Sequence, residues 1–152
     1  NNNFENMGTN YKLSDIQSAI GLAQMKKINK IIKIRKKFAM LYDELLEKID
    51  YVIPQKPSKN SRHTYQSYVC IIEKPKLRDK IRNQLQRQNI ETQIGTYALH
   101  RLPFFQKCKK LDKLSNSDFL YDNCISIPLH HELTYHDQEI ICKIIKNTIK
   151  HI

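Results

Sequence analysis

The sequence predicts an α+β domain: a long amino-terminal helix, then a small three-stranded sheet with helices packed on one face. Three observations predict it. Apolar residues recur at three- and four-residue steps from Ile16 to about Ile49 with no proline between them. The runs "HTYQSYVCII", "IETQIG" and "CISIP" are short, rich in β-branched or aromatic residues, and alternate with helical patterns. A chain of 152 residues with 40% apolar content suits one compact domain with a modest core.

The elements follow in order. Ser14 with Gln17 three residues later forms a capping-box signature, so the first helix begins at Ser14 or Asp15. Its apolar positions Ile16, Ile20, Ala23, Ile31, Ile34, Phe38, Leu41 and Leu45 carry it to about Ile49, a rod of about 50 Å at ~1.5 Å per residue. Such a rod outspans a small domain, and part of it is expected to pack on something outside this sequence. Pro54 and Pro57 end the region, and a strand is expected from His63 to Ile72. Pro75 opens a helix with Leu77, Ile81 and Leu85 on one face, followed by a short strand from Ile90 to Ile94. Residues Ser115 to Asn123 read as a helix and Cys124 to Pro128 as the third strand. Thr134 with Asp137 starts the last helix, with Ile140, Ile141, Ile144, Ile145 and Ile149 inside.

Composition limits the function classes. No run of eighteen apolar residues and no charged-then-apolar leader occurs, so the chain reads as cytoplasmic, with no membrane partner. The polar opening "NNNFENMG", without an initiating Met, reads as part of a longer chain. Cys70, Cys108, Cys124 and Cys142 are widely spaced without a C-x-x-C, so neither a disulfide framework nor a metal site is expected; Cys70 and Cys124 are expected in the core. Gly8, Gly21 and Gly95 are the only glycines, which leaves no glycine-rich phosphate cradle. The formal charge of +11, with Lys26, Lys30, Lys33 and Lys37 at helical spacing, raises a basic interaction or nucleic-acid-binding module as the alternative function. A lysine stripe opposite an apolar face is more often the solvated side of a helix, and steep loss of oligonucleotide binding with salt would separate the two.

Candidate chemistry is sparse. Tyr97 and His100 lie in "TYALHRLPFF", a proline-ended loop after a strand, where polar groups often meet ligands or else satisfy local hydrogen bonds. His130 and His131 read as a surface loop, because no third ligand stands at metal spacing. No Ser-His-Asp context or nucleophile elbow is visible. The residues alone give ligand-lining groups and no catalytic engine.

The stretches "GTNYKLSDIQSAIGLAQMKK", "HTYQSYV", "IETQIGTYALHRLPFF" and "CISIPLHHELTYHD" together resemble the carboxy-terminal portion of the pyridoxal-phosphate-dependent nucleotide-sugar aminotransferases, the DegT/DnrJ/StrS family of fold type I. The opening G-x-N-Y-x-x-S-x-x-Q carries most of the resemblance, and S-x-P-L-H is a second witness. The resemblance implies residues 1–13 as a loop leading from a larger preceding domain and 14–152 as the small carboxy-terminal domain. It also implies a parent that transfers an amino group, from a donor expected to be glutamate, to a keto-sugar nucleotide for amino-sugar or surface-polysaccharide synthesis. The Schiff-base lysine of such a parent lies outside this chain, so no catalytic residue is assigned here, no bound cofactor is expected and the fragment alone is expected to be inactive. A regulatory, non-catalytic family member is the further alternative.

The resemblance implies a homodimer with shared active sites, in which Asn10 reaches the phosphate of the partner subunit's pyridoxal 5'-phosphate. Tyr11, Lys12, Tyr97 and His100 are then the candidate contacts to the sugar nucleotide. Two positions depart from the family pattern: Lys12 stands where arginine is usual, weakening any bidentate anion contact, and Gln66 stands where members carry histidine.

Overall fold

The computed structural model describes residue 9, residues 11–107 and residues 113–150. The single long helix expected from the apolar spacing is two helices. Helix α1 spans Asp15–Met25 and helix α2 spans Ile28–Leu46. At the junction the Lys26 N–H reaches Leu22 O at a long 3.3 Å, and the Lys27 N–H turns to Gln24 O, three residues back, at 2.9 Å. The ladder restarts with the Ile31 N–H on Lys27 O. Apolar spacing could not reveal this break, since both halves keep the helical period. Burial differs sharply across it: no residue of α1 is buried, whereas Ala39, Tyr42 and Leu46 of α2 are fully so. Lys26 thereby sits in the turn, and the expected stripe keeps only the exposed Lys30, Lys33 and Lys37 on α2.

The sheet has four strands in the order β1-β2-β4-β3, all antiparallel: β1 Val52–Pro54, β2 Tyr68–Ile72, β3 Gln93–Ile94 and β4 Cys124–Ile127. The expected three strands are present, and β1 is the addition. It is a three-residue edge strand ending in Pro54, and an edge is where a residue without an N–H is tolerated. Strand β2 is also shorter than the expected His63–Ile72. The approach to it is bent: Tyr65 takes the left-handed conformation at φ 51°, its N–H donates to His63 Nδ1 at 3.0 Å, and Arg35 Nη1 donates to the carbonyls of Tyr65 (3.0 Å) and Gln66 (2.7 Å). Ladder pairing starts after this bend, at Tyr68.

Helix α3 is Leu77–Arg87, α4 is Ser115–Asn123 and α5 is Tyr135–Lys150. Pro75 lies in the turn before α3, and Lys76 at φ 62° makes the entry. The expected capping box forms at the start of α1, and Thr134 with Asp137 makes a second one before α5. Ser14 and Gln17 exchange backbone bonds at 3.1 and 3.3 Å, and Thr134 and Asp137 do so at 2.9 and 3.1 Å.

The core lies on one face of the sheet. Tyr68, Cys70 and Ile72 alternate inward on β2, and Ile125 and Ile127 of β4 pair beside Cys70 and Tyr68. Helices α2, α3 and α5 cover this face with Tyr42, Leu46, Leu77, Ile81, Leu85, Ile141 and Ile145. On the opposite face Val69, Ile71 and Ser126 are only half-buried. Cys70, Cys124 and Cys142 are buried free thiols, and burial pushes those of Cys70 and Cys142 up to about 12, which makes them packing groups rather than nucleophiles. Cys108 lies outside the described residues.

A polar bond ties Asp43 of α2 to β2. Tyr68, fully buried, donates to Asp43 Oδ1 at 2.5 Å. Burial raises the Asp43 carboxyl above its ordinary value, and the Tyr68 hydroxyl partly opposes that by favouring the ionised form. A carboxyl raised in the folded state disfavours folding once it ionises, so Asp43 contributes most at low pH and that contribution is lost as pH rises through its folded-state value. Tyr68→Phe removes the compensation. The expected result is a loss of about 1.5–3 kcal/mol near neutral pH, the scale of a hydrogen bond to a charged group, and a smaller loss below the Asp43 titration. Urea midpoints of the two proteins at both pH values check it; equal losses at both would contradict the assignment.

Candidate functional site

The loop between β3 and α4 is built on a close approach. The Gly95 N–H donates to Cys124 O at 3.1 Å, and a Cβ at position 95 would lie 2.5 Å from Cys124 Cβ and 2.6 Å from Val69 Cγ1. The backbone therefore rests directly on β4 before it leaves the sheet. Ala98, with no exposed surface, anchors the next turn between Tyr97 and Leu99, which are both exposed. Leu99–Arg101 forms one 3₁₀ turn and Pro103–Lys107 another, locked by Arg101 N–H to Ala98 O at 2.9 Å and Phe105 N–H to Leu102 O at 3.0 Å.

Helix α4 clasps this loop through side chains four apart on one face. His100 Nε2 lies 2.9 Å from Asp118 Oδ1, with the imidazole side chain only 11% exposed. Arg101 Nη1 donates to Asp122 Oδ1 at 2.7 Å, and its Nε stands 3.6 Å from Asp118 Oδ1. The Arg101 guanidinium lies 4.7 Å above the Tyr121 ring, whose centroid is 6.4 Å from that of Tyr97. A guanidinium between two carboxylates and an aromatic face orders a loop at modest energetic gain, since Arg101 is itself exposed. Farther inside, Arg78 of α3 donates to Tyr121 O at 2.8 Å and fixes the end of α4 to the domain.

The structure thus joins Tyr97 and His100 in one cluster and adds Arg101, Asp118, Tyr121 and Asp122, which sequence reasoning had not selected. The signal available was the spacing of Asp118, Tyr121 and Asp122, which puts two acids and an aromatic on one side of a helix; what they face was not readable. Tyr11, 90% exposed, and Lys12, also exposed, lie in the irregular lead into α1, and Asn10 lies outside the described residues. Gln17 is accounted for by the capping box. His130 and His131 are exposed, and among the described residues no group of three or more metal-ligating side chains gathers. No described helix is long and apolar enough to cross a membrane.

An antiparallel four-stranded sheet backed by three helices is a fold shared with solved aminotransferases. The Helicobacter pylori aminotransferase PseC, involved in the biosynthesis of pseudoaminic acid, superimposes with a TM-score of 0.85 at 22% identity, over 99% of this chain and 41% of that one. The chain belongs to the DegT/DnrJ/EryC1/StrS aminotransferase family, whose sequence profile matches residues 1–146. It is 29% identical over 151 residues to the UDP-4-amino-4,6-dideoxy-N-acetyl-beta-L-altrosamine transaminase of Campylobacter jejuni, covering 94% of this chain and 38% of that protein. It is 28% identical over 137 residues to the GDP-perosamine synthase of Escherichia coli O157:H7, covering 90% of this chain and 36% of that protein. The chain therefore spans well under half the length of these relatives.

Proposed function

We propose that this chain is the carboxy-terminal domain of a cytoplasmic, pyridoxal-phosphate-dependent enzyme that transfers an amino group from glutamate to a keto-sugar nucleotide. Residues 1–13 lead in from a larger domain and 14–152 form the small domain. The observation that carries the reading is the clasped Tyr97–Arg101 loop, a rigid display of an aromatic hydroxyl and an imidazole in a member of a sugar-aminotransferase family. Tyr97 and His100 contact the sugar nucleotide, with Tyr11 and Lys12 contributing from the lead. In a homodimer, Asn10 reaches the phosphate of the partner's cofactor.

The cofactor supplies the electron sink for moving the amino group when it is bound. The lysine that would anchor it is taken to lie in the preceding larger domain, and every described lysine of this chain is at least partly exposed. What this chain contributes is binding and orientation of the sugar and exclusion of water around it.

The test uses the full-length protein with a panel of keto-sugar nucleotides and glutamate. Formation of an amino sugar with stoichiometric 2-oxoglutarate supports the reading; cofactor-loaded enzyme that aminates none of the panel would count against it. In the same assay His100→Ala should raise KM for the sugar nucleotide about tenfold, the scale of one lost hydrogen bond, and change kcat less.

A further inference from the structure

We infer that Asp118 is a positioning residue that fixes the tautomer of His100, so that this ring offers an acceptor, Nδ1, to its ligand. The inference rests on the reading that the Tyr97–Arg101 loop contacts the substrate. His100 Nε2 lies 2.9 Å from Asp118 Oδ1. An ionised carboxylate can only accept, so in the neutral ring the hydrogen must sit on Nε2 and the lone pair on Nδ1. No hydrogen bond engages Nδ1 among the described residues. Arg101 secures the arrangement: its Nε stands 3.6 Å from the same Asp118 oxygen while its Nη1 is held by Asp122 at 2.7 Å. Both acids project from α4, which Arg78 ties to the core through the Tyr121 carbonyl. The ring thus has little freedom to rotate, and its 11% exposure leaves it a narrow window to the outside.

The consequence is a defined chemistry of recognition. A neutral ring held this way accepts a hydrogen bond from a ligand hydroxyl or amine and cannot donate to a carbonyl oxygen. His100 should therefore read a hydroxyl or the newly placed amino group of a sugar, whereas the keto oxygen needs a donor from elsewhere.

Histidine-labelled protein studied by ¹⁵N NMR, at a pH where the exposed His131 and His136 are neutral, tests this directly. His100 should show a protonated Nε2 and an unprotonated Nδ1 in wild type. In Asp118→Ala it should relax to the tautomer mixture of His131 and His136, and in Asp118→Asn, whose amide can accept from Nε2–H or donate to its lone pair, the bias should fall between that of Asp118→Ala and wild type. A protonated Nδ1 in wild type, or a His100 tautomer unmoved in Asp118→Ala, would overturn the inference; the wild-type spectrum alone decides the first point even if the alanine variant does not fold. In the full-length enzyme Asp118→Ala should raise KM for the sugar nucleotide several-fold, with a smaller rise in Asp118→Asn. If the tautomer follows Asp118 while KM moves in neither Asp118→Ala nor His100→Ala, the tautomer assignment stands and the substrate reading of the loop fails.

Discussion

Gly95→Val should lose about 3 kcal/mol or more of folding free energy, at the upper end of what overpacking costs. Even the first added carbon has nowhere to go, since Cys124 Cβ would be 2.5 Å away, Val69 Cγ1 2.6 Å away and the Cys124 carbonyl carbon 3.3 Å away. Val69 can yield by changing rotamer, but Cys124 Cβ is fixed to the backbone of β4. The strand must therefore separate from β4 at the Gly95 N–H to Cys124 O bond. That displacement reaches the Tyr97–Arg101 loop two residues later. The expected result is a large drop in the urea midpoint, together with a broken His100–Asp118 hydrogen bond even under conditions where the domain stays folded. Gly95→Ala should cost less, about 1–3 kcal/mol, and combining it with Val69→Ala should show a favourable coupling, because one of the two closest neighbours is then removed. A valine variant as stable as wild type would mean that β3 does not lie where the structure places it.

Asn10→Ala in the full-length protein is expected to weaken cofactor retention by about 1.5–3 kcal/mol, the value of one hydrogen bond to a charged group. That corresponds to roughly a ten- to over a hundredfold loss of affinity. The stability of the cofactor-free protein should barely change, because the cap of α1 is supplied by Ser14 and Gln17 and does not involve position 10. Since the proposed contact crosses the dimer, mixing this variant with one lacking the Schiff-base lysine of the preceding domain gives heterodimers with one doubly damaged site and one intact site. Activity should return in such mixtures. Two inactive proteins that demonstrably form heterodimers and never complement would show that Asn10 serves its own subunit or none.

Where the signal was local, the sequence was sufficient. The capping box at Ser14, the buried face Leu77–Ile81–Leu85, the limits of α4 and the inward Cys70 depend on interactions within a few residues or on strict periodicity, whereas Cys124, also expected in the core, is buried on the other face of the sheet against Gly95. The family was legible for a similar reason, because the opening and closing motifs fix residue types at short spacing. The break at Lys26–Lys27 was invisible because a two-residue turn preserves the three- and four-residue rhythm on either side. Strand β1 was hidden by its length and its proline, and β2 was read too long because "HTYQS" has strand-like side chains whose backbone is claimed by Arg35, thirty residues earlier.

The site divides in the same way. That Tyr97 and His100 share a short loop after a strand, and which family pattern that loop follows, could be read from residue order alone. What His100 touches depended on the packed fold, since its partner Asp118 lies eighteen residues away on another element. The fold likewise settled that Gly95 is required by the approach of β4 rather than by a turn. Pairing across such distances is set by how the elements pack, and each partner taken alone looks like an ordinary polar residue on a helix or a loop.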